Sequence, residues 1–508
     1  MSGPPPGPRA SRREWIGLAV IALPCLLYAM DLTVLNLAIP AITADLRPTA
    51  SQMLWIVDIY GFFIAGSLIT MGTLGDRIGR RRLLLIGASA FGAASVLAAL
   101  SSSAAMLIAA RALLGVAGAT LAPSTLSLIR NMFLDPHERT VAIGIWIASF
   151  SAGGAIGPLL GGVVLAHFSW QAVFLLAVPV MLLLLVLGPL LLPEFRDPNP
   201  GRLDLPSAGL SVCAVLAIIY GLKQVAERGM SWPAVLAVAA GLGLGALFLW
   251  RQRHLANPLI DLALFRLPGF SAALAINLLG FFAMFASFLY IAQYLQLVLG
   301  MDPLTAGLWT LPSSLGFIAG SFIVPLAARR LGTVPVMTGG LLMSVLGFVL
   351  LVFVGTADLG LLVAGSVIFS VGLTPVVALT TDLVVSSAPP ERAGSASSLS
   401  ETSTELGGAL GIAVLGSLAA AVYRTSMTGR IPAGLDAAAI EAAGGTIGGA
   451  MATAGQLPAA AGAGLLQAAR EAYVLGMQAS TASSAAIMLG TAVLAVVLLR
   501  GHADNRRV

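Results

Sequence analysis

The sequence predicts an all-α integral membrane protein, with fourteen transmembrane helices arranged as two parallel six-helix halves and two helices inserted between them. Three observations carry that expectation: an apolar composition, fourteen long apolar runs joined mostly by short loops, and an internal repeat at one offset. Of 508 residues, 58% are hydrophobic and only 10% charged, where a soluble domain carries roughly 25% charged residues. So little polar surface cannot cover a water-facing exterior, and a mean hydropathy of +0.95 points to lipid as the solvent.

A helix needs about 20 mostly apolar residues to cross the hydrocarbon. Runs of that kind lie near 15–39, 53–73, 83–101, 105–129, 140–166, 170–192, 204–223, 232–251, 270–299, 303–328, 334–354, 359–386, 394–423 and 474–499, and are called spans 1 to 14. Proline and glycine inside them are tolerated because neighbouring helices satisfy the freed backbone groups. The N-terminal MSGPPPGPRASRR is a short basic tail, and the run after it is too long for a signal-peptide core, so it reads as a retained first span.

Orientation follows from the basic residues, all but Lys223 of them arginine. Twenty lie in the two tails and the loops on one side, including Arg77, Arg80, Arg81, Arg82, Arg329 and Arg330; six lie on the other side, and Arg111 is inside span 4. The positive-inside rule then places both termini in the cytoplasm, which an even number of spans requires independently. The positive net charge of +5 is explained by this topology and calls for no nucleic-acid partner. The expected organisation is a cytoplasmic tail over 1–14, a first half over 15–192, inserted helices and linkers over 193–269, a second half over 270–500 and a cytoplasmic tail over 501–508. The long outer loop at 425–473 holds two stretches, AGLDAAAIEAA and LLQAAREAYVLGM, that read as short amphipathic helices. A lid over an outer opening and a loose tether are equally open readings of it.

The repeat sets the pairing of the halves. Ile64-Ala65-Gly66-Ser67 returns as Ile318-Ala319-Gly320-Ser321, and Asp76-Arg77-Ile78-Gly79 returns, degraded, as Arg329-Arg330-Leu331-Gly332. Pro136-His137-Glu138-Arg139 returns as Pro389-Pro390-Glu391-Arg392, and Gly153-Gly154-Ala155-Ile156-Gly157 as Gly407-Gly408-Ala409-Leu410-Gly411. Matches in this order at 253–254 residues pair spans 1–6 with spans 9–14 and leave spans 7 and 8 as the insertion. Two parallel halves suit rocking around a site at the midplane.

Local strings sharpen this. The loop after span 2 reads Gly72-Thr-Leu-Gly-Asp76-Arg77-Ile-Gly79-Arg80-Arg81-Arg82. Span 1 carries Asp31-Leu-Thr33-Val-Leu-Asn36-Leu-Ala-Ile-Pro40, span 2 opens with Trp55-Ile-Val-Asp58-Ile-Tyr60, and span 5 holds Gly153-Gly154-Ala-Ile-Gly157-Pro158-Leu-Leu-Gly161-Gly162. These strings resemble those of the major facilitator superfamily, and are most similar to its fourteen-span drug:proton antiporters, over nearly the whole chain. The resemblance implies that Gly72, Asp76, Arg77, Gly79, Arg80 and Arg81 form an inner-gate motif. It implies likewise that Gly153, Gly157, Pro158, Gly161 and Gly162 form the string associated with antiporters. A plain positive-inside loop and ordinary small-residue packing are the respective alternatives. Leu114 stands where the family often has glutamine, so the surroundings of Arg111 depart from the pattern.

Charged groups inside a span cost roughly 3 kcal/mol or more at the bilayer centre and read as functional. Asp31, Asp58, Arg111, Asp382, Glu401 and Glu405 are therefore the candidates for proton and substrate coupling. Glu401 and Glu405 share one face of span 13, whereas Asp58 and Asp382 could also be solvated near span ends. A carboxylate that trades a proton for a cation would export small lipophilic, cationic compounds and need no cofactor beyond the proton gradient; a monomer in the cytoplasmic membrane suffices. An exporter of one antibiotic, lipid or siderophore, or an uptake symporter on the same fold, remains the alternative. An ATP-driven pump is excluded because the one lysine, Lys223, sits in no phosphate-binding loop. A membrane enzyme lacks support: the four histidines are scattered without metal-ligand spacing, and Cys25 and Cys213 read as packing residues.

Overall fold

The computed structural model describes residues 9–504 except 49, 197–203, 229, 256–257, 390–391 and 433–434. Much of each predicted tail therefore lies outside the described residues, as do the side chains of Thr33, Asn36, Asp58, Pro158 and Lys223. Fourteen helices among the described residues are long and apolar enough to cross a membrane. In order, the first half comprises Arg12–Leu46, Ala50–Ile78, Arg80–Ala99, a broken fourth span (Ala104–Gly118 and Leu121–Met132), Pro136–His167 and a broken sixth (Ala172–Leu175 and Ala177–Leu191). The inserted pair is Leu205–Arg228 and Trp232–His254. The second half comprises Pro268–Gln293 with a π-helical end at Tyr294–Val298, Pro303–Leu331, Thr333–Val352, Leu359–Ser387, Ala393–Met427 and Ala459–Asp504.

Packing follows the sequence repeat. Span 1 lies on span 5 as span 9 lies on span 13, and span 2 lies on span 4 as span 10 lies on span 12. The halves meet through spans 2 and 13 and through spans 5 and 10, two contacts that exchange under the repeat. This is the pattern of parallel repeats related by an axis along the membrane normal. Two turns carry the same signature. Gly79 and its counterpart Gly332 both have positive φ, 110° and 88°, so each half turns from its second to its third helix through a conformation open to glycine.

Local chemistry starts the helices. Asp135 caps span 5 by accepting from the His137 and Glu138 amides at 2.8 and 3.0 Å, with Pro136 at the first helical position. Those amides, Glu138's first, hold the Asp135 carboxyl below its ordinary pKa. Span 3 takes its cap from elsewhere: Glu194 accepts from the Arg81 and Arg82 amides at 3.0 and 3.1 Å. That places an acidic group at the positive end of the span 3 helix.

The long loop departs from expectation. Its second predicted piece, LLQAAREAYVLGM, is not a separate helix but part of Ala459–Asp504, which runs 46 residues, about 69 Å, without a break. Pro458 precedes that helix and no later proline interrupts it, so the amphipathic stretch and the membrane span fuse. Ala437–Gly445 matches the first predicted piece, and Ile447–Ala454 is a helix the periodicity does not reveal. The loop is packed rather than loose: Ala443, Ile447, Ala450 and Ala454 join the main core, and the Tyr423 hydroxyl donates to the Ala443 carbonyl at 3.0 Å.

Candidate functional site

Asp31 and Arg111 meet. The Arg111 Nη1 lies 2.6 Å from Asp31 Oδ2, and Arg111 is fully buried while Asp31 keeps partial access. Two neighbours fix the guanidinium: its Nε donates to the Ile56 carbonyl at 3.0 Å, and its plane sits 4.8 Å from the Tyr60 ring centroid. Asp31 is about 28 Å along the helix from Arg12, past the middle of the bundle. Tyr60 faces Tyr28 at 6.1 Å, and the Tyr28 hydroxyl donates to Glu405 Oε1 of the second half at 3.4 Å. Two aromatic rings therefore bridge the Asp31–Arg111 pair of one half to an acid of the other. Phe150 packs edge-on to Tyr28 at 5.5 Å and to Trp146 at 4.8 Å, extending that aromatic wall along span 5.

Glu401 and Glu405 are half-buried on span 13, with Glu405 about 18 Å from that helix's start. Beside them, Asn277 of span 9 donates to Thr404 Oγ1 at 3.0 Å and accepts from Thr380 Oγ1 at 3.2 Å. This buried amide ties spans 9, 12 and 13 and fixes the face that presents the two acids. Asp382 does not join this group. It lies about 8 Å from the end of span 12 and pairs with Arg139 of the first half at 2.9 Å.

The arginine-rich end holds a set of contacts between halves. Asp76 accepts from the Gly394 and Ser395 amides of span 13 at 3.2 and 3.0 Å and pairs with Arg80 one turn on. Arg130 donates to the Ala388 carbonyl at 2.8 Å, and Arg139–Asp382 completes the group. Gly72 lets span 2 approach: a Cβ there would sit 2.5 Å from Ser398 Cβ and 2.6 Å from the Gly394 carbonyl. Arg77 is half-buried at this end, and Gly79 supplies the turn. Arg81 works within its own half instead, donating to the Leu192 carbonyl at 3.0 Å.

In span 5, a Cβ on Gly153 would collide with the Leu26 carbonyl, just as Gly407 and Gly411 abut the Leu278 and Phe282 carbonyls in the other half. Gly157 and Gly161 are buried, while a Cβ on Gly162 would meet nothing within 4 Å. The string is thus one close-packed seam between spans 1 and 5, with Gly162 outside it.

A model of the Major Facilitator Superfamily matches residues 21–412. The chain belongs to that superfamily. It is 44% identical over 501 residues to the multidrug efflux pump LfrA of Mycolicibacterium smegmatis, covering 98% of this chain and 99% of that protein. Identity is 36% to the methyl viologen resistance protein SmvA of Salmonella typhimurium, covering 95% and 97% of the two chains. It is 33% to the tetracenomycin C resistance and export protein of Streptomyces glaucescens, covering 97% and 93%. Among solved structures, the human organic anion transporter MFSD10 superposes with a TM-score of 0.62 at 16% identity, over 95% of this chain and 99% of that one, a likeness of fold. The chain is therefore a multi-pass membrane transporter of small molecules rather than an enzyme, and drug efflux is the activity of the superfamily members it most resembles here.

Within the superfamily fold, sequence reading finds the charges but not the groups that hold them. Tyr28, Tyr60, Asn277 and Glu194 are missed. Asn277, a lone amide in an apolar run, is the one that the cost of intramembrane polar groups could have flagged.

Proposed function

We propose that the protein is a proton-coupled antiporter that exports lipophilic, cationic compounds by alternating access. Its arginine-rich end would face the cytoplasm, with both termini there. The observation that carries this reading is the array of Asp31–Arg111, Tyr60, Tyr28 and Glu405, which places an acid of each half on either side of one aromatic bridge. A cation that inserts between the acids would find carboxylates and ring faces together, an arrangement suited to lipophilic cations. Proton binding at the same carboxylates would release it. Arg111, held by Asp31, keeps the first-half carboxylate from being an open cation site until the pair separates. Glu401 and Glu405 would supply the exchangeable acid of the second half. The contacts around Asp76 and Arg139–Asp382 then act as the closed inner gate, which moves Asp382 from the coupling group to the gate. No cofactor is required beyond the proton gradient, and each chain carries a whole translocation path.

The test is ethidium transport in proteoliposomes with and without an imposed pH gradient, in the wild type and Asp31→Asn. Gradient-driven transport lost in the variant supports the reading. Transport of ethidium that ignores the gradient overturns proton coupling, and transport driven inward under every gradient favours the uptake alternative.

A further inference from the structure

The segment that follows the inserted pair reads in sequence as a linker to span 9, yet residues 258–264 lie buried between the two halves. The carbonyl of Leu259 accepts from Thr73 Oγ1 of span 2 at 3.0 Å and from Ser395 Oγ of span 13 at 3.2 Å. A carbonyl has two lone pairs, and here one goes to each half. Leu259, Ile260 and Leu264 are at most 5% exposed and share a cluster with Ile69 of the first half, with Val384, Ala396 and Leu399 of the second, and with Ala208 and Phe248 of the inserted pair. Gln252, at the end of span 8 and 3% exposed, accepts from the Leu259 amide at 2.6 Å and donates to Ser207 of span 7 at 2.8 Å. Ser207 donates in turn to Asp204, which binds Arg251 through two bonds of 2.7 and 2.9 Å. Buried polar groups so fully partnered fix one arrangement of the backbone they hold.

We propose that residues 258–264, positioned by Gln252, are a third element of the gate at the arginine-rich end: a strap that seals span 2 to span 13 while that end is closed and parts from span 2 as it opens. This rests on the alternating-access reading above. The strap belongs with the second half. Asp261 pairs with Arg392 at 2.7 Å, and the turn Leu264–Arg266 runs directly into span 9, where Ser271 donates to the Phe265 carbonyl at 2.8 Å. Its ties to the first half, Thr73 and Ile69, both lie on span 2. The inserted helices thereby become a clamp on the conformational cycle rather than lipid-facing additions.

Two measurements in a Cys25→Ser, Cys213→Ser background test this. In the first, Ser398→Cys, buried opposite Gly72, reports opening by its rate of maleimide labelling. Gln252→Met, which keeps the volume and removes both hydrogen bonds, is expected to speed labelling about three- to tenfold. A control cysteine at Ser344, buried within the second half, should stay slow. Equal labelling of Ser398→Cys with and without Gln252→Met overturns the proposal, and so does a parallel rise at Ser344→Cys, which would mean general loosening. In the second, a reducible thiol cross-linker joins Thr73→Cys to Leu259→Cys, or Ser395→Cys to Leu259→Cys. The first link should cut ethidium transport at least tenfold, reversed by reductant, and the second should leave it within twofold. Loss with both links, or with neither, overturns the strap. A parent that fails to transport ethidium would count against the substrate reading, and the labelling comparison would still decide the strap.

Discussion

Gly72→Ala should open the gate that the halves form at the arginine-rich end. Its added Cβ would fall 2.5 Å from Ser398 Cβ and 2.6 Å from the Gly394 carbonyl, where ordinary carbon contacts are roughly 3.5 Å or longer. The carbonyl belongs to the backbone of span 13 and cannot rotate away, so spans 2 and 13 must part by roughly 1 Å. That displacement also stretches the bonds from the Gly394 and Ser395 amides to Asp76, now 3.2 and 3.0 Å, beyond useful length. Overpacking of this kind costs about 1–3 kcal/mol, which would shift the closed-to-open ratio by about five- to 150-fold. A cysteine at Leu399, whose native side chain packs in one cluster with Ile69 of span 2, reads the shift as faster maleimide labelling. Transport should fall in parallel, because a gate that cannot close leaves one half of the cycle unpopulated. Labelling and transport both at wild-type level would refute the claim that this glycine sets the approach of the two halves.

Other outcomes follow from single contacts. Gly153→Ala should lower the thermal midpoint of the detergent-solubilised protein, because its Cβ collides with the Leu26 carbonyl, whereas Gly162→Ala should leave midpoint and transport unchanged or slightly improved. Tyr28→Phe keeps the ring and deletes the bond to Glu405; a hydrogen bond to a charged group is worth about 1.5–3 kcal/mol, so proton-driven ethidium transport should fall roughly tenfold or more, without loss of the folded protein in size-exclusion chromatography. Asp204 has its carboxyl pulled down to about 2, first by the hydrogen bond from Arg251 and then by that from Ser207. A depressed folded pKa stabilises above the unfolded value of roughly 3.9, so this contribution is lost as pH falls from about 4 towards 2. The thermal midpoint should drop over that window in the wild type and less so in Asp204→Asn.

The number of spans and their pairing are legible because both rest on local quantities, the length of an apolar run and a short string repeated at one offset. The charges of the candidate site are legible for the same reason, since an Asp31 or an Arg111 stands out in apolar surroundings. Their partnership is not, because 80 residues separate them and only the packing of spans 1 and 4 around span 2 brings them together. Asp382 shows the limit most plainly. Position within a run does not give depth in the bundle, and an acid grouped with the coupling residues proves to sit near a helix end against Arg139. The breaks in spans 4 and 6 and the fusion of the outer amphipathic stretch with span 14 are hidden because helix continuity there depends on neighbours, not on proline alone. The strap at 258–264 is hidden because a short segment reads as a linker whatever it touches.

The two halves solve one problem differently, and the difference explains why the gate carries its acid on one side only. Each half must satisfy the first amides of its fifth helix. Span 5 does so with its own residue, Asp135, directly before Pro136. At the equivalent place the second half has Ala388 before Pro389, which offers no side-chain acceptor. Span 13 starts later, at Ala393, with Arg392 before it making no side-chain cap. Its Gly394 and Ser395 amides find their acceptor in the other half, in Asp76. The copy of the Asp76 motif in the second half has lost its acid, reading Arg329-Arg330-Leu331-Gly332 while keeping the turn glycine. No such acid is needed there, because the helix it would have capped is already capped. The surviving carboxylate thus completes a helix end that is incomplete within its own half, and the bond is satisfied only when spans 2 and 13 are together. Opening the gate leaves two helix-end amides and a carboxylate to be taken up by water, and that exchange gives the closed state a polar bias that the smooth apolar surfaces of the spans could not supply alone.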